Sequence, residues 1–517
     1  MLIPITVLVL FIAALALVIL RVMRPDFRPA WLIAVGSALL AWLMIFFWQL
    51  QMPISFQLPP WQPASLFADS PSFLVDGLSW PYALSILSLT LAVLLTAVAR
   101  ENFPDPFTWA GILILSGISL LAVTAGNPLS LVMVWAAIDI AELITQLRSV
   151  DTPQDSERVV IAFSTRAVGM GLLLWANIVS INAGARLDFL SMPAQAGLYL
   201  VAAAGLRLGV LPLRLPYTGE AALRRGFGTM IRLTSVASSL VLLARIPAGS
   251  VNSPVTIFML VLTTLAAIYS GWMWLRAPNE LTGRPFWIIG MSALAVSAAL
   301  QANPVAAVAW GCALILAGGA LFLISVQQTI LSRVMLIGAW GISALPFSLT
   351  ASAWTSTASW LFPFLILAQA MLTAGWVRHV LRPATHLSYE FQAVWARGVY
   401  LTGIGLLLFT IIFLGLFGWD GSLQLGAWAI GLIASLLTFG LVWAMSRIRT
   451  LNPARAHWIQ PANSSWLERA YRVLWDLYRQ LGQITQTVTT ILEGNSGIMW
   501  TLLFLALFVS LMAQRNP

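Results

Sequence analysis

Runs of about 20 apolar residues recur along almost the whole 517-residue chain, and this feature constrains the fold more than any other. A helix needs roughly 20 such residues to cross the hydrocarbon core of a bilayer. Only 9% of the residues are charged, against about 25% in a typical soluble domain. The sequence therefore predicts an all-α polytopic membrane protein, and it excludes a soluble enzyme and a disordered chain. We predict sixteen spans, at residues 2–21, 29–49, 79–99, 106–125, 128–147, 158–182, 195–215, 227–245, 254–275, 285–301, 304–326, 333–352, 358–377, 398–418, 424–446 and 497–513.

The basic residues predict the orientation of these spans. All 27 of them are arginines, and Arg21, Arg24 and Arg28 cluster directly after the first span. The next loop, residues 51–76, holds only acidic charges, and the alternation continues along the chain. Because cytoplasmic loops favour Arg and Lys, we expect the Arg-rich side to be cytoplasmic and both termini to be external, in a prokaryotic inner or plasma membrane. The net charge of +9 does not indicate nucleic-acid binding, since the sequence predicts no soluble module that could carry a basic face.

Cysteine and histidine are too few to predict a redox centre. Iron–sulfur clusters need several thiolates, whereas Cys312 is the only cysteine. The three histidines, His379, His386 and His457, are predicted in connecting segments, where no pair could bind haem inside the membrane. No Gly-rich phosphate loop follows a strand, so we expect no nicotinamide, flavin or quinone site and no cofactor or metal.

One segment near the C-terminus is amphipathic and lacks the pattern of a span. Between residues 463 and 492, apolar residues recur every three or four positions on one face, while Arg472 and other charges lie on the opposite face. Ser465 and Glu468 fit a capping box at its start. The pattern predicts a helix at 463–492 before the last span at 497–513. It fits either a surface anchor in the headgroups or a strut that runs sideways along a membrane complex.

Ionisable residues inside the spans mark the candidate functional site, since charges within the bilayer are costly and are usually paired or functional. Asp139 and Glu142 fall in the fifth span, Arg166 in the sixth, Arg207 in the seventh and Arg232 in the eighth. At about 1.5 Å per helical residue, Asp139, Arg166 and Arg207 lie at a similar depth, so we expect an acid–arginine cluster. Such a cluster fits a structural ion pair, a proton or ion half-channel, or a contact with lipid or a partner.

Prolines predict two broken helices. Pro212 and Pro216 interrupt the seventh span, and Pro346 interrupts the twelfth. Proline removes a backbone donor and kinks a helix, and broken helices at membrane depth usually line a polar cavity.

The second half of the chain is depleted of charge. Between Phe286 and Val377 there is no acidic residue and no histidine, and Arg333 is the only charged residue. Arginine keeps its proton at physiological pH. We therefore expect this half to contain no proton relay made of titrating side chains.

Four short motifs lie in order along the chain between residues 75 and 380. They are Val75-Asp76-Gly77-Leu78-Ser79, Gly126-Asn127-Pro128-Leu129-Ser130 leading to Val134-Trp135-Ala136, Gly205-Leu206-Arg207-Leu208-Gly209-Val210-Leu211-Pro212-Leu213, and Gly341-Ile342-Ser343-Ala344-Leu345-Pro346. In this order they resemble the antiporter-like membrane subunits of respiratory complex I (NADH:quinone oxidoreductase). The same family supplies subunits of Mrp-type sodium/proton antiporters and of membrane-bound hydrogenases.

The resemblance implies two inverted five-helix repeats with broken helices, flanked by further helices. The amphipathic helix before the last span is similar to the lateral helix of the family's largest, distal subunit, although it is shorter here. The implied partners are the lipid bilayer and other membrane subunits of a complex I-like assembly. The implied divisions are N-terminal helices (1–105), a first repeat (106–246), a charge-depleted second repeat (252–380), C-terminal helices (397–446), the amphipathic helix (463–492) and the last span (497–513).

The sequence departs from the family at the positions that transfer protons. Ala136 stands where the family has a glutamate in the fifth helix, with Asp139 one turn further on, and Arg207 replaces the lysine of the seventh helix. In that family, proton transfer is attributed to a lysine whose pKa depends on a nearby glutamate, and arginine cannot take this role. The other departures are Ile231 beside Arg232 at the eighth-helix position, Gly318 or Gly319 at the eleventh, and Ala353 at the twelfth.

We therefore expect a divergent antiporter-like subunit of a complex I-like energy-converting oxidoreductase, with no catalytic centre of its own. Asp139, Glu142, Arg166, Arg207 and Arg232 would form a degenerate proton channel, and the role would be largely structural. Two alternatives stay open. One is an independent secondary transporter of a small ion or anion that Arg207 and Arg232 bind, since transporters also use inverted repeats and broken helices. The other is a structural subunit without any transport.

Overall fold

A computed structural model describes most of the chain as far as residue 451. Of the sequence predictions, the amphipathic helix 463–492, the last span 497–513, Pro216, His386 and His457 lie outside the described residues. The described residues are 2–24, 29–59, 70–100, 103–150, 153–185, 188–214, 225–247, 249–251, 253–325, 329–355, 359–382, 393–419, 422–423, 425 and 427–451.

The described residues form fifteen α-helices, and each overlaps one of the first fifteen predicted spans. Eleven are long and apolar enough to cross a membrane, judged by length and composition. The prediction of a helical multi-pass membrane protein is therefore confirmed. The helices are α1 (Leu2–Met23), α2 (Ala30–Gln51), α3 (Trp80–Thr96), α4 (Pro106–Val123), α5 (Pro128–Arg148), α6 (Pro153–Asn182), α7 (Ala194–Leu208), α8 (Phe227–Leu243), α9 (Pro254–Arg276), α10 (Glu280–Leu300), α11 (Pro304–Leu323), α12 (Thr329–Gly341), α13 (Phe362–Val380), α14 (Val394–Phe417) and α15 (Trp428–Leu451).

A short β-hairpin between α2 and α3 was not predicted. Strand β1 (Ile54–Gln57) pairs antiparallel with β2 (Ser72–Val75). The hairpin also holds the start of α5, because the Ser130 hydroxyl donates to the carbonyl of Ser72 at 2.8 Å. Strands of four residues are too short to produce a recognisable period in the sequence.

The helices differ sharply in burial. Helix α11 is almost completely buried and packs against α3, α8, α10 and α14. Helices α1, α2, α6 and α15 instead expose large apolar side chains, including Leu15, Phe47, Trp175 and Phe439. Contiguous apolar exposure of this kind suits lipid rather than water. Helices α5, α6, α7 and α8 form a closed ring of neighbours, with α10 packed against α7 and α8.

Both predicted helix breaks are present, but each helix ends before its proline. Helix α7 ends at Leu208 instead of 215, because Gly209 adopts a left-handed conformation (φ 70°) and closes the helix as its C-cap. Pro212 therefore lies in the turn that follows. Helix α12 ends at Gly341 instead of 352, and Pro346 lies in the irregular segment beyond it.

His379 also differs from its prediction. It lies in the last turn of α13, not in a connecting segment, and its side chain is buried. The imidazole packs against Trp274, with 4.4 Å between ring centroids. Helix α13 extends three residues beyond the predicted span, which brings this histidine into the core.

Candidate functional site

Two carboxylates on one face of α5 form the acidic side of the candidate site. The side chain of Asn127 caps the helix by accepting a hydrogen bond from the backbone of Ser130 at 2.9 Å. Asp139 and Glu142 are three residues apart, a spacing that places both on the same helix face. Each is only 1% exposed, so both need partners inside the protein.

Arg207, in the last turn of α7, binds Asp139 through both carboxylate oxygens. Its Nη1 donates to Oδ2 at 2.6 Å and its Nη2 to Oδ1 at 2.9 Å. The Nε donates to the hydroxyl of Ser239 at 3.2 Å, and the guanidinium lies 4.0 Å from the centre of the Trp135 ring. This bidentate, stacked geometry suits arginine and could not be reproduced by lysine.

Glu142 binds the two other arginines of the cluster. Arg166 of α6 donates to both oxygens of Glu142, with Nη2 at 2.7 Å from Oε1. Arg232 of α8 donates to Oε1 at 2.6 Å, and Gln146, one turn further along α5, donates to the same oxygen at 2.5 Å. The carboxylate therefore accepts from residues of three helices.

The two ion-pair groups form one network. Arg166 Nη1 lies 3.8 Å from Asp139 Oδ1 and so joins the Asp139–Arg207 pair to the Glu142 group. The structure thus brings together all five residues that the sequence singled out. Each of them is at least nine-tenths buried. Removal of one partner from a buried pair costs about 3–5 kcal/mol. Because separation of the helices would likewise leave buried charges without partners, the network holds α5, α6, α7 and α8 together.

The chemistry of this network favours fixed charge over proton exchange. Proton exchange needs a group that binds and releases a proton near the working pH. Every basic member here is an arginine, which keeps its proton at physiological pH. Both carboxylates accept hydrogen bonds from the guanidinium groups of these arginines.

A small cavity of about 10 Å³ adjoins the network. Four arginines line it, with apolar residues of α7, α8 and α10 completing the wall. This volume is about what one water molecule needs. The lining residues are Arg166, Arg207, Leu208, Arg214, Arg232, Val236, Pro285, Ile288 and Ile289.

The break in α7 explains how Arg214 reaches this cavity. After Gly209 the chain turns back, and the backbone of Arg214 donates to the carbonyl of Gly209 at 2.9 Å. A straight helix would instead carry Arg214 about 9 Å beyond Leu208 at 1.5 Å per residue. The segment after the helix break therefore contributes Arg214 to the cavity wall.

In the second half of the chain, close packing fills the position that corresponds to the eleventh-helix basic residue of the resembled family. A Cβ added to Gly318 would lie 2.5 Å from Nε1 of Trp287, and one added to Gly319 would lie 2.7 Å from Cδ1 of Leu89. Where the resembled family has a basic side chain on its eleventh helix, these glycines leave no room for one. The break after α12 is filled by Gln369, which donates to the carbonyl of Ile342 at 2.9 Å.

Sequence reasoning also missed ion pairs outside this cluster, two of which join distant parts of the chain. Arg245, at the end of α8, binds Asp76 through both oxygens, with Nη1 2.6 Å from Oδ2. Arg225 binds Glu280 at 2.6 Å near the start of α10. Asp76 stood in the first recognised motif, but nothing in the sequence connects it with an arginine 169 residues away.

Two other arginines, Arg284 and the partly buried Arg100, were also missed as structural residues. Arg284 was predicted outside the spans, whereas α10 begins at Glu280 and includes it, with an exposure of 1%. Arg100 follows α3, and burial, followed by the charge of Arg225, lowers its pKa to about 10. At neutral pH it therefore remains charged.

Comparisons with known proteins extend this description. No protein-family model matches the chain, and no curated protein sequence matches it. Among solved structures, it is similar to a chain of the Mrp complex from Dietzia sp. DQ12-45-1b, with a TM-score of 0.70, 15% identity and 100% of this chain covered. This chain spans 63% of the length of that Mrp chain.

A second similar structure is a chain of the membrane-bound sulfane sulfur reductase, an archaeal respiratory membrane complex. The TM-score is 0.65 and the identity 13%, with 98% of this chain and 99% of that chain covered. The resemblance to antiporter-like membrane subunits is thus confirmed at the level of the overall helical fold. The protein has the fold of a divergent antiporter-like subunit.

Proposed function

We propose that this protein is an antiporter-like membrane subunit of a complex I-like energy-converting oxidoreductase, in which the first half-channel has become a fixed ion-pair network. Its main role is to hold and extend the membrane part of that assembly. It carries no catalytic centre of its own. The proposal includes a prokaryotic inner or plasma membrane, with both termini external.

The observation that supports an altered half-channel most directly is the replacement of titratable bases by arginine. Asp139 is bound by Arg207 at 2.6 and 2.9 Å, and Glu142 is bound by Arg166 and Arg232. A switchable half-channel needs a base whose pKa responds to its neighbours. An arginine at the same position keeps its proton whatever the charge of its neighbours. A change in those charges therefore alters the local electrostatic potential but moves no proton.

The division of the chain follows from the same proposal. Residues 106–246 form the first antiporter-like repeat and residues 252–380 the second, inverted repeat. Residues 1–105 and 397–446 flank them. The close packing at Gly318 and Gly319 supports a second repeat without a polar path. In this division the segment 463–492 is an amphipathic lateral helix, either a surface anchor or a strut, and residues 497–513 are the last span.

The similarity to subunits of two multi-subunit membrane complexes supports other membrane proteins as partners. Purification of the tagged protein from its native membranes in a mild detergent, followed by mass spectrometry, tests this directly. We expect stoichiometric recovery of further membrane subunits together with subunits of an oxidoreductase. A matched preparation in a harsh detergent, which separates subunits, controls for nonspecific adhesion.

The competing function is an independent secondary transporter of a small ion or anion. The arginine-lined cavity is the observation that favours it. In that case the protein would purify in mild detergent alone or as a homo-oligomer, and no oxidoreductase subunit would accompany it. This outcome would contradict the proposed role in an energy-converting complex.

A further inference from the structure

Helices α9 and α13 run in the same direction and end side by side. A Cβ added to Gly271 of α9 would lie 3.2 Å from the carbonyl oxygen of Ala368 in α13. Further along both helices, a Cβ added to Gly375 would lie 3.3 Å from the Cα of Leu275. In the last turns, Arg378 of α13 donates a hydrogen bond to the carbonyl of Leu275. The C-terminal ends of the two helices therefore meet at one level.

Helix α15 joins this pair from the side of α13. The Thr438 hydroxyl donates to the carbonyl of Ala370 at 3.4 Å, and α13 is the described helix against which α15 mainly packs. The three helices share a small apolar cluster, here called the seam, which lies apart from the main core. Its buried members are Leu275, Met371 and Ala374, and its partly buried members are Ile268, Leu367, Leu441, Val442 and Met445.

Arginines lie at the C-terminal end of the seam. Arg378 is eleven residues, or about three turns, after Leu367, and so it lies on the same face of α13. Arg382 follows one turn later, just past the end of that helix. Arg276 is the last residue of α9, with its guanidinium 5.1 Å from the centre of the Trp272 ring. Trp272 is 47% exposed, and such tryptophans are enriched where the bilayer meets water.

This end of the three helices is basic. The last two turns of α9, α13 and α15 contain no acidic residue. Glu280, four residues after Arg276, is bound by Arg225 at 2.6 Å. A guanidinium has five N–H donors, so an arginine that already has protein contacts can still bind a phosphate. Arg382 forms no hydrogen bond or ion pair with the part of the chain that the structure describes.

We infer that the seam and its arginine end are a binding site for one anionic phospholipid. The headgroup phosphate binds Arg378, Arg382 and Arg276, and an acyl chain lies along the partly buried side chains of the seam. Basic sites between membrane helices, at the level of the headgroups, suit this class of lipid. The bound lipid holds α15 against α9 and α13. This site does not depend on the proposed function, because it requires only the ends of these three helices.

Phosphatidylglycerol is the probe that tests the site. The delipidated full-length protein is heated in maltoside micelles that contain an increasing mole fraction of this lipid, and tryptophan fluorescence reports unfolding. A ligand that binds only the folded state raises its stability in a saturable way. We expect a saturable rise in the unfolding midpoint with phosphatidylglycerol, a much smaller rise with phosphatidylcholine, and none with glycerol 3-phosphate in solution.

Variants separate the site from general attraction of anionic lipid to a basic protein. Arg382→Gln should raise the half-saturating mole fraction by about fivefold, since one basic residue near the surface contributes about that factor to binding. Arg382→Lys keeps the charge and should retain most of the effect. Arg148→Gln is the matched control, because Arg148 is an exposed arginine in the last turn of α5, and it should behave like the wild type.

Three results would overturn the inference. Equal midpoints in phosphatidylglycerol and phosphatidylcholine would show that the headgroup is not recognised. An equal rise with glycerol 3-phosphate would indicate a site for a soluble anion without an acyl chain. Equal half-saturation in the wild type and Arg382→Gln would place the lipid elsewhere. If Arg382→Gln does not fold, native mass spectrometry of Arg276→Gln decides: it must lose the phosphatidylglycerol molecule that the wild type retains.

Discussion

Replacement of Asp139 by alanine removes the carboxylate that binds Arg207 at 2.6 and 2.9 Å. Arg207 is 4% exposed, so its charge cannot regain water unless α7 moves. Loss of one partner from a buried pair costs about 3–5 kcal/mol. Since each 1.4 kcal/mol is about a factor of ten, the ratio of folded to unfolded protein should fall by roughly 10²- to 4 × 10³-fold. Arg166 loses its contact at 3.8 Å as well, which favours the upper part of this range.

Unfolding of the purified protein in maltoside micelles with increasing dodecyl sulfate, followed by tryptophan fluorescence, measures this loss. Asp155→Ala is the control, because Asp155 pairs with the exposed Arg158 at 3.9 Å and such a pair contributes about 0–1 kcal/mol. In the double variant Asp139→Ala/Arg207→Met both charges are gone, and we expect part of the stability to return. The reasoning would be refuted if Asp139→Ala were as stable as Asp155→Ala, or if the two substitutions in the double variant were simply additive.

Two further predictions concern packing and topology. Gly318→Ala places a methyl group 2.5 Å from Nε1 of the buried Trp287 and should destabilise the protein by about 1–3 kcal/mol in the same unfolding assay. Gly36→Ala, with open space around its Cβ, should be neutral or slightly stabilising, and equal effects of the two would contradict this account of the second repeat. In a cysteine-free background, an impermeant maleimide added from outside should label Asp69→Cys but not Arg382→Cys. The reverse pattern would show that the orientation is wrong.

The positions of the helices could be predicted well from sequence, because a bilayer imposes a minimum length on each apolar run. The ends were predicted less well. The seventh and twelfth spans were predicted to continue past Pro212 and Pro346, to residues 215 and 352, whereas the helices stop at Leu208 and Gly341. Gly209 ends α7 by adopting a left-handed conformation that other residues avoid, and hydropathy does not detect this choice.

Part of the candidate site could also be predicted. Counting residues from the span ends places Asp139 and Arg207 at one depth, and the structure pairs them. Depth alone does not reveal which helix faces rotate toward each other. The binding of Glu142 by Arg232, and of Asp76 by Arg245, depends on how α3, α5 and α8 pack, which a single sequence does not specify.

Proton flux into proteoliposomes that contain the purified protein tests the central claim most directly. With an imposed pH gradient and a pH-sensitive dye inside the vesicles, we predict no flux above that of empty vesicles. Asp139→Asn and Glu142→Gln should leave this result unchanged, provided that size-exclusion chromatography shows folded protein. A gradient-driven flux that either variant abolished while still folded would contradict the claim that arginines have converted this half-channel into a fixed network.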